Sequence, residues 1–578
     1  MYRFTCFLLA VTIVLWHAPL AAVHAEQRTI SVDVEHTQKD LRHAYLGANA
    51  QQFRYHYSIQ QMLDSGQFGR FMQDIGRPVM RMDGRSVLDG HSSVNAWFSE
   101  EAAEQLMIAE RKLRFLERHE KTSDLDIDHV QPADYEAIVQ QYGIEDAPDD
   151  FSREGGDPIW YCPYQWHEFC RENDIPLIGA INDYMYYDPD TGQVIRFKDR
   201  PEHFDGAVEN FTRKLRWVID NGYEDLYVAW EIGNETWSAW DPELYAQYAR
   251  KIIHAGKDLQ SDIQLAVPVM IRDTDDPWIK TFISNQPSRE RWFTWHEHVL
   301  PALGDDIEKL SHLQVHLYGF SSSYSANFDG LEMVSDILAD IPNTDHLQYL
   351  LTEWRYTGTG GTRHRTFKTG ALNNAKFAMT MLSHPRVDYS TAHEFVLTSG
   401  LGYWTPGTAG ENSSNEGSAW IFQRPEGGGD EYRSADGRPR FDIGPFGPVN
   451  RMLNELVIEC PELLVHDADL GPMSSALFAE GERDLEWFIS ANPDRSLIGG
   501  VLVNTRKEPM TVRLKAGETP LALKWTEQMT CDPDKLEEPE VPGEEKFWHV
   551  QRRDAQGAEL SLPPESITSF RATLTTGE

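Results

Sequence analysis

Cations are scarce in this chain: 53 Lys and Arg stand against 91 Asp and Glu in 578 residues, a formal net charge of -38. That deficit argues against a nucleic-acid surface and against adsorption to anionic lipid, because both draw on Lys and Arg. Cysteine is scarcer still, with five residues. Five thiols in a chain of this length permit a disulfide or two but exclude a disulfide scaffold. After the first 25 residues no stretch is apolar over the about 20 residues that a membrane span requires, so no membrane partner is expected. Internal repeats are lacking too, and "EGGGDE" is the one low-complexity tract.

What is present begins with residues 1 to 25. Arg3, the apolar stretch "FLLAVTIVLW" and the segment "APLAAVHA", with Val23 and Ala25 at the small-residue positions, read as a secretory signal. A secreted or periplasmic protein starting at Glu26 is expected. It would keep Cys162, Cys170, Cys460 and Cys531. If the first two share one helix, eight residues at about 1.5 Å each hold them about 12 Å apart, beyond disulfide reach. Cys460 and Cys531 are then the expected pair.

Eight short apolar runs follow, separated by helical patterns: "AYLGANA" (44–50), "PVMRMDG" (78–84), "IPLIGAIN" (175–182), "LYVAWEIGNE" (226–235), "QLAVPVM" (264–270), "LQVHLYG" (313–319), "YLLTEW" (349–354) and "YSTAHEFVL" (389–397). Eight strand–helix units predict an α/β fold, a (β/α)8 TIM barrel over 44–459. Residues 85–158 interrupt the rhythm as an acidic insertion after the second strand. From 460 to 578 the pattern changes to short alternating strands, predicting an additional antiparallel β-sandwich domain that the N-terminal segment 26–43 joins through "TISVDVE".

Barrel enzymes carry their chemistry where the strands end at their C-terminal side. There the fourth run ends in Asn234 and Glu235, the seventh carries Glu353 and the sixth carries His316 and Tyr318. The second contributes Arg81, and the third ends in Asn182 and Asp183. Two carboxylates at one mouth are costly to bury without a purpose, and glycoside hydrolysis needs two.

"WEIGNE" followed by "TEW" resembles the fourth- and seventh-strand signatures of clan A retaining glycoside hydrolases, and within that clan is most similar to families 51, 79 and 39. The resemblance implies Glu235 as acid/base, Glu353 as nucleophile, and Asn234 on the sugar 2-hydroxyl. Arg81 and Tyr318 would keep Glu353 ionised, and His316 would orient Glu235 or a sugar hydroxyl. After the second strand "RMDGRS" departs from the Pro-Gly-Gly-type loop of family 51. The substrate implied is a plant or algal polysaccharide or oligosaccharide. A neutral-glycan enzyme of arabinofuranosidase or agarase type, and a catalytically silent carbohydrate-binding protein on the same scaffold, stand as alternatives.

Around this pair, Trp237, Trp354 and Trp404 follow strand ends and are candidate sugar platforms, with core packing as the other reading. His393 and Glu394 either line the pocket or fill the barrel. Glu231 reads as a structural carboxylate. After Glu353 the chain places Arg355, Arg363, Arg365 and Lys368 in "WRYTGTGGTRHRTFKTG". They either pair with neighbouring acids or bind an acidic glycan bearing uronate or sulfate. "HEH" at 296–298 lacks zinc spacing and "DPDTG" at 188–192 reads as a turn, so no metal and no cofactor are expected.

Overall fold

The computed structural model describes residues 26–44, 46–49, 69, 72–73, 75–82, 100–148, 151, 163–238, 240–270, 294–320, 331, 334–357, 366–392, 396–397, 420–422, 441–466, 484–538 and 545–574. The expected signal, residues 1–25, lies outside them.

After the N-terminal strand β1 (Glu26–Asp40), eight strands close into a parallel barrel: β2 (Leu46–Asn49), β3 (Val79–Met82), β4 (Leu177–Ile181), β5 (Tyr227–Ile232), β6 (Leu265–Pro268), β7 (His312–Phe320), β8 (Gln348–Thr357) and β9 (Val387–Ala392). Each falls within or across one of the eight apolar runs. Strands covered on both faces need no alternation of polarity, and "LIGAI" of β4 is buried at all five positions. Inward-facing Val79, Ile178, Ala229, Ala266, Leu350 and Tyr389 fill the lumen. The outward set packs under the helices.

Those helices form where apolar residues recur at helical spacing. In the helix Phe204–Asp220 the residues Phe204, Ala207, Phe211, Leu215 and Val218 make the buried stripe. The next, Pro242–Leu259, starts at Asp241, whose carboxylate accepts from the backbone N–H groups of Glu243 and Leu244 at 3.0 Å each, with Pro242 in the first turn. The helix Phe446–Glu459 fastens the first barrel strand: Asn454 donates to the carbonyl of Leu46 and accepts from its N–H. Between β3 and β4 the chain builds the helices Glu100–Arg118 and Tyr135–Tyr142, which share a small apolar cluster with Met185 and Tyr187.

The C-terminal strands are β10 (Glu462–His466), β11 (Leu485–Ala491), β12 (Ile498–Asn504), β13 (Met510–Ala516), β14 (Thr519–Cys531), β15 (Trp548–Asp554), β16 (Glu559–Leu562) and β17 (Ser566–Leu574). With β1 they make one nine-stranded sheet, ordered β15-β14-β17-β12-β11-β10-β1-β13-β16, which a further antiparallel pairing of β13 with β14 closes on itself. β1 runs parallel to β13 and antiparallel to β10, so the sheet is not wholly antiparallel. β11 and β12 are buried at every position, because one face encloses the sheet's own core while Phe488, Val501 and Val503 on the other join the barrel's outer core. The expected disulfide is absent: Cys460 and Cys531 are both free thiols, as is Cys170. Cys460 sits at the end of a barrel helix and burial pushes its thiol up to about 11.

Candidate active site

The run "WEIGNE" resolves into two directions. On β5 Trp230 points outward, stacked on Tyr227 at 4.1 Å between ring centres, and its ring leaves no room for a side chain at Gly179. Glu231 therefore points into the lumen. The strand then ends in an abrupt turn. Gly233 has φ +81°, and a Cβ there would lie 2.6 Å from Thr236 and 2.8 Å from Asp183, so only glycine fits. Glu235 itself has φ +47°, a left-handed conformation that costs a non-glycine residue on the order of 1 kcal/mol or more.

On β8 the nucleophile candidate is aimed by an irregularity. Leu351 lies opposite Val315 of β7, but Glu353 lies opposite His316, leaving Thr352 as one extra residue. The same slip appears against β9, between Leu351 and Trp354. This β-bulge turns Glu353 into the lumen, where regular alternation from inward-facing Leu350 would have pointed it out.

Arg81 of β3 joins these parts, with no solvent exposure. Its Nε donates to Oε1 of Glu231 at 2.5 Å, one Nη to Oε1 of Glu353 at 2.8 Å, and the other to Oδ1 of Asn234. His316 of β7 bridges the two catalytic candidates: its Nδ1 lies 2.9 Å from Oε1 of Glu235 and 3.4 Å from Oε2 of Glu353. Gln314, also buried, places its amide nitrogen 3.3 Å from His316 Nε2 and 3.4 Å from Asn234 Oδ1. With Gln314 donating to Nε2, the ring's Nδ1–H is the donor that faces both carboxylates.

The two glutamates sit close but in different surroundings. Oxygens of Glu235 and Glu353 and a nitrogen of His316 all lie within 4.8 Å of one another. The Glu353 side chain is 5% exposed and ion-paired, whereas that of Glu235 is 29% exposed. These three residues are also the one group among those described whose atoms are close enough to hold a metal ion. Arg81 already occupies Oε1 of Glu353 there.

Other expected site residues are placed differently. Trp354 is 1% exposed, stacked on Phe377 and edge-on to Phe446 in the outer core, which corrects its assignment as a sugar platform. The bulge that turns Glu353 inward turns Trp354 outward. Asn182 is buried, and its carbonyl accepts from the N–H groups of Tyr184 and Met185, so it shapes the loop after β4 rather than touching either glutamate. Lys368 pairs with Glu537 at 2.6 Å. Trp404, Arg363, Arg365, His393 and Glu394 lie outside the described residues, as do the side chains of Tyr318 and Arg355. Gln314 was missed by the sequence reading; its signal is the polar alternation Gln314, His316 within an otherwise apolar run.

No family model and no curated protein matches the chain. Solved structures do share its fold at low identity. An alpha-L-arabinofuranosidase from Thermotoga maritima, in an arabinose complex, aligns with a TM-score of 0.53 and 13% identity, covering 94% of this chain and 100% of that one. The family 51 alpha-L-arabinofuranosidase from Thermotoga petrophila gives 0.52 and 14%, covering 94% and 99%. A glucosidase from Croceicoccus marinus gives 0.50 and 11%, covering 95% and 99%. The chain has the barrel fold of these glycoside hydrolases.

Proposed function

We propose that the chain is a secreted retaining glycoside hydrolase acting by double displacement on a polysaccharide or oligosaccharide. The observation that carries this reading is the convergence of Glu235 and Glu353, with one carboxyl oxygen of each lying within 4.8 Å of the other. Carboxyl groups about 5 Å apart suit direct attack on the anomeric carbon, while inverting enzymes keep about 6.5–9.5 Å for an intervening water.

Glu353 is the nucleophile. Oε1 is held by Arg81 and Oε2, 3.4 Å from His316 Nδ1, is assigned the attack, and the guanidinium favours the charged carboxylate. Glu235, the more exposed carboxyl, protonates the leaving oxygen and then takes a proton from the water that releases the glycosyl-enzyme. Asn234, its carbonyl oxygen engaged by Arg81 and Gln314, is assigned the sugar 2-hydroxyl through its NH2 group. His316 holds the two carboxylates in register. We take residues 26–43 and 460–578 as one sandwich domain closed on its own core, 44–459 as the catalytic barrel, and 1–25 as the cleaved export signal.

For the substrate we favour an acidic glycan, on the strength of Arg355, Arg363 and Arg365 following the nucleophile strand. The Lys368–Glu537 pair removes one cation from that set. It favours the second reading, a neutral arabinoside like those named for the structural neighbours. Glu353→Ala should abolish turnover of activated aryl glycosides, and azide should restore it as the inverted glycosyl azide. Glu235→Ala should be rescued with retention. A mirrored pattern would exchange the two roles. Arg363→Ala with Arg365→Ala should raise KM on an acidic polymer alone. Equal effects on acidic and neutral substrates would select the neutral reading.

A further inference from the structure

We propose that Thr391 is a positioning residue for the nucleophile, acting through the bulge at Thr352; the role rests on the hydrolase reading of Glu353. A bulge leaves its extra residue without a regular ladder partner. At Thr352 that residue is completely buried, so an orphaned carbonyl would carry the full cost of desolvation. The hydroxyl of Thr391, itself without solvent exposure, donates to this carbonyl at 2.5 Å.

The placement is specific. Thr391 lies between Ser390, which faces Leu351, and Ala392, which faces Trp354, so it stands beside the inserted residue. On its other side it pairs with Gly47 of β2. By alternation from the lumen residue Tyr389 its side chain points inward, beside Thr352 and Glu353. A hydroxyl at this position stabilises the bulged register, in which Glu353 faces Arg81 and His316. Without it the ladder gains by absorbing Thr352 into regular pairing, and one step of register turns Glu353 away from the mouth. Valine has threonine's shape without the donor, and serine has the donor without the methyl, so the two variants separate hydrogen bond from packing.

The experiment measures kcat, KM and Tm for wild type, Thr391→Val and Thr391→Ser on an activated aryl glycoside, with hydrogen exchange at the amides of Leu351–Trp354. In Thr391→Val, kcat should fall about 10- to 100-fold, as a misplaced nucleophile does, with KM within twofold and faster exchange at 351–354. Thr391→Ser should restore kcat to within about threefold of wild type. A Val variant with lowered Tm but unchanged kcat would make the contact merely structural and overturn the role, as would a Ser variant as impaired as Val. If Val does not fold, the Ser comparison with Thr391→Ala decides by the same criterion. A wild type that turns over no glycoside would instead remove the hydrolase reading, and this role with it.

Discussion

The two ends of the barrel both bury a basic side chain, and they hold it in opposite ways. At the mouth, Arg81 is gripped by side chains from two other strands and the turn that follows one of them: Glu231, Asn234 and Glu353. At the floor, Lys39 of β1 reaches the end of the helix Asn374–Ser383 and donates to the backbone carbonyls of Leu382 at 2.8 Å, His384 at 2.7 Å, and Val387. Beside it His384 is pushed down to about 4, chiefly by burial, and His312 meets Asp388 at 3.1 Å. Backbone acceptors are fixed by the fold, so the floor serves stability. Side-chain acceptors can exchange partners as charge develops, which is what chemistry requires of a mouth.

The pair of substitutions Arg81→Met and Lys39→Met tests that contrast directly. Arg81→Met should lower kcat/KM by about 10³-fold or more, since an electrostatic contact to the reacting centre is removed, while Lys39→Met should leave kcat within twofold. Comparable kcat losses from both would erase the distinction. Trp354→Ala should cost about 3–5 kcal/mol of stability, as a fully buried core tryptophan, with KM unaffected. A steep rise in KM at unchanged Tm would return Trp354 to the sugar.

Lys39→Met should cost about 1–3 kcal/mol through its orphaned carbonyls, and the cost should depend on pH. Burial lowers Lys39 from 10.5 to about 7. Between those values the unfolded chain holds a proton that the folded chain has released, so the lysine's contribution to stability rises with pH across this window. Equilibrium unfolding of wild type and variant should therefore diverge upward from about pH 7; parallel curves would contradict the assignment. The smallest effect is expected at the rim, where Lys368→Ala breaks a largely exposed pair and should change stability by under about 1 kcal/mol.

How much of this was legible in the sequence varies with how local the signal was. The eight barrel strands were, because strands buried on both faces announce themselves as continuous apolar runs. So were Glu235, Glu353, Asn234, Arg81 and His316, as polar residues that interrupt such runs near their ends. The Arg81–Glu231 pair was not, since its partners stand 150 positions apart and nothing local marks a contact across the lumen. Trp354 was misread because it was taken to follow a strand end, whereas β8 continues to Thr357 and Trp354 faces the outer core within it. For Asn182 the sequence did not show that its side-chain oxygen serves the loop after β4, as a strand-end amide can. The disulfide expectation took shared membership of the C-terminal region as proximity. Nor did periodicity show that the C-terminal strands form a single sheet closed on itself through β13 and β14.

The most direct measurement is the anomeric configuration of the first product released by wild-type protein from an activated glycoside, followed by 1H NMR before mutarotation. Retention is expected, because one carboxyl oxygen of Glu235 lies within 4.8 Å of one of Glu353, closer to the spacing of direct attack than to that of an intervening water. An initially inverted product would contradict the double displacement at Glu353, and with it the account of what Arg81, His316 and the bulge are arranged to do.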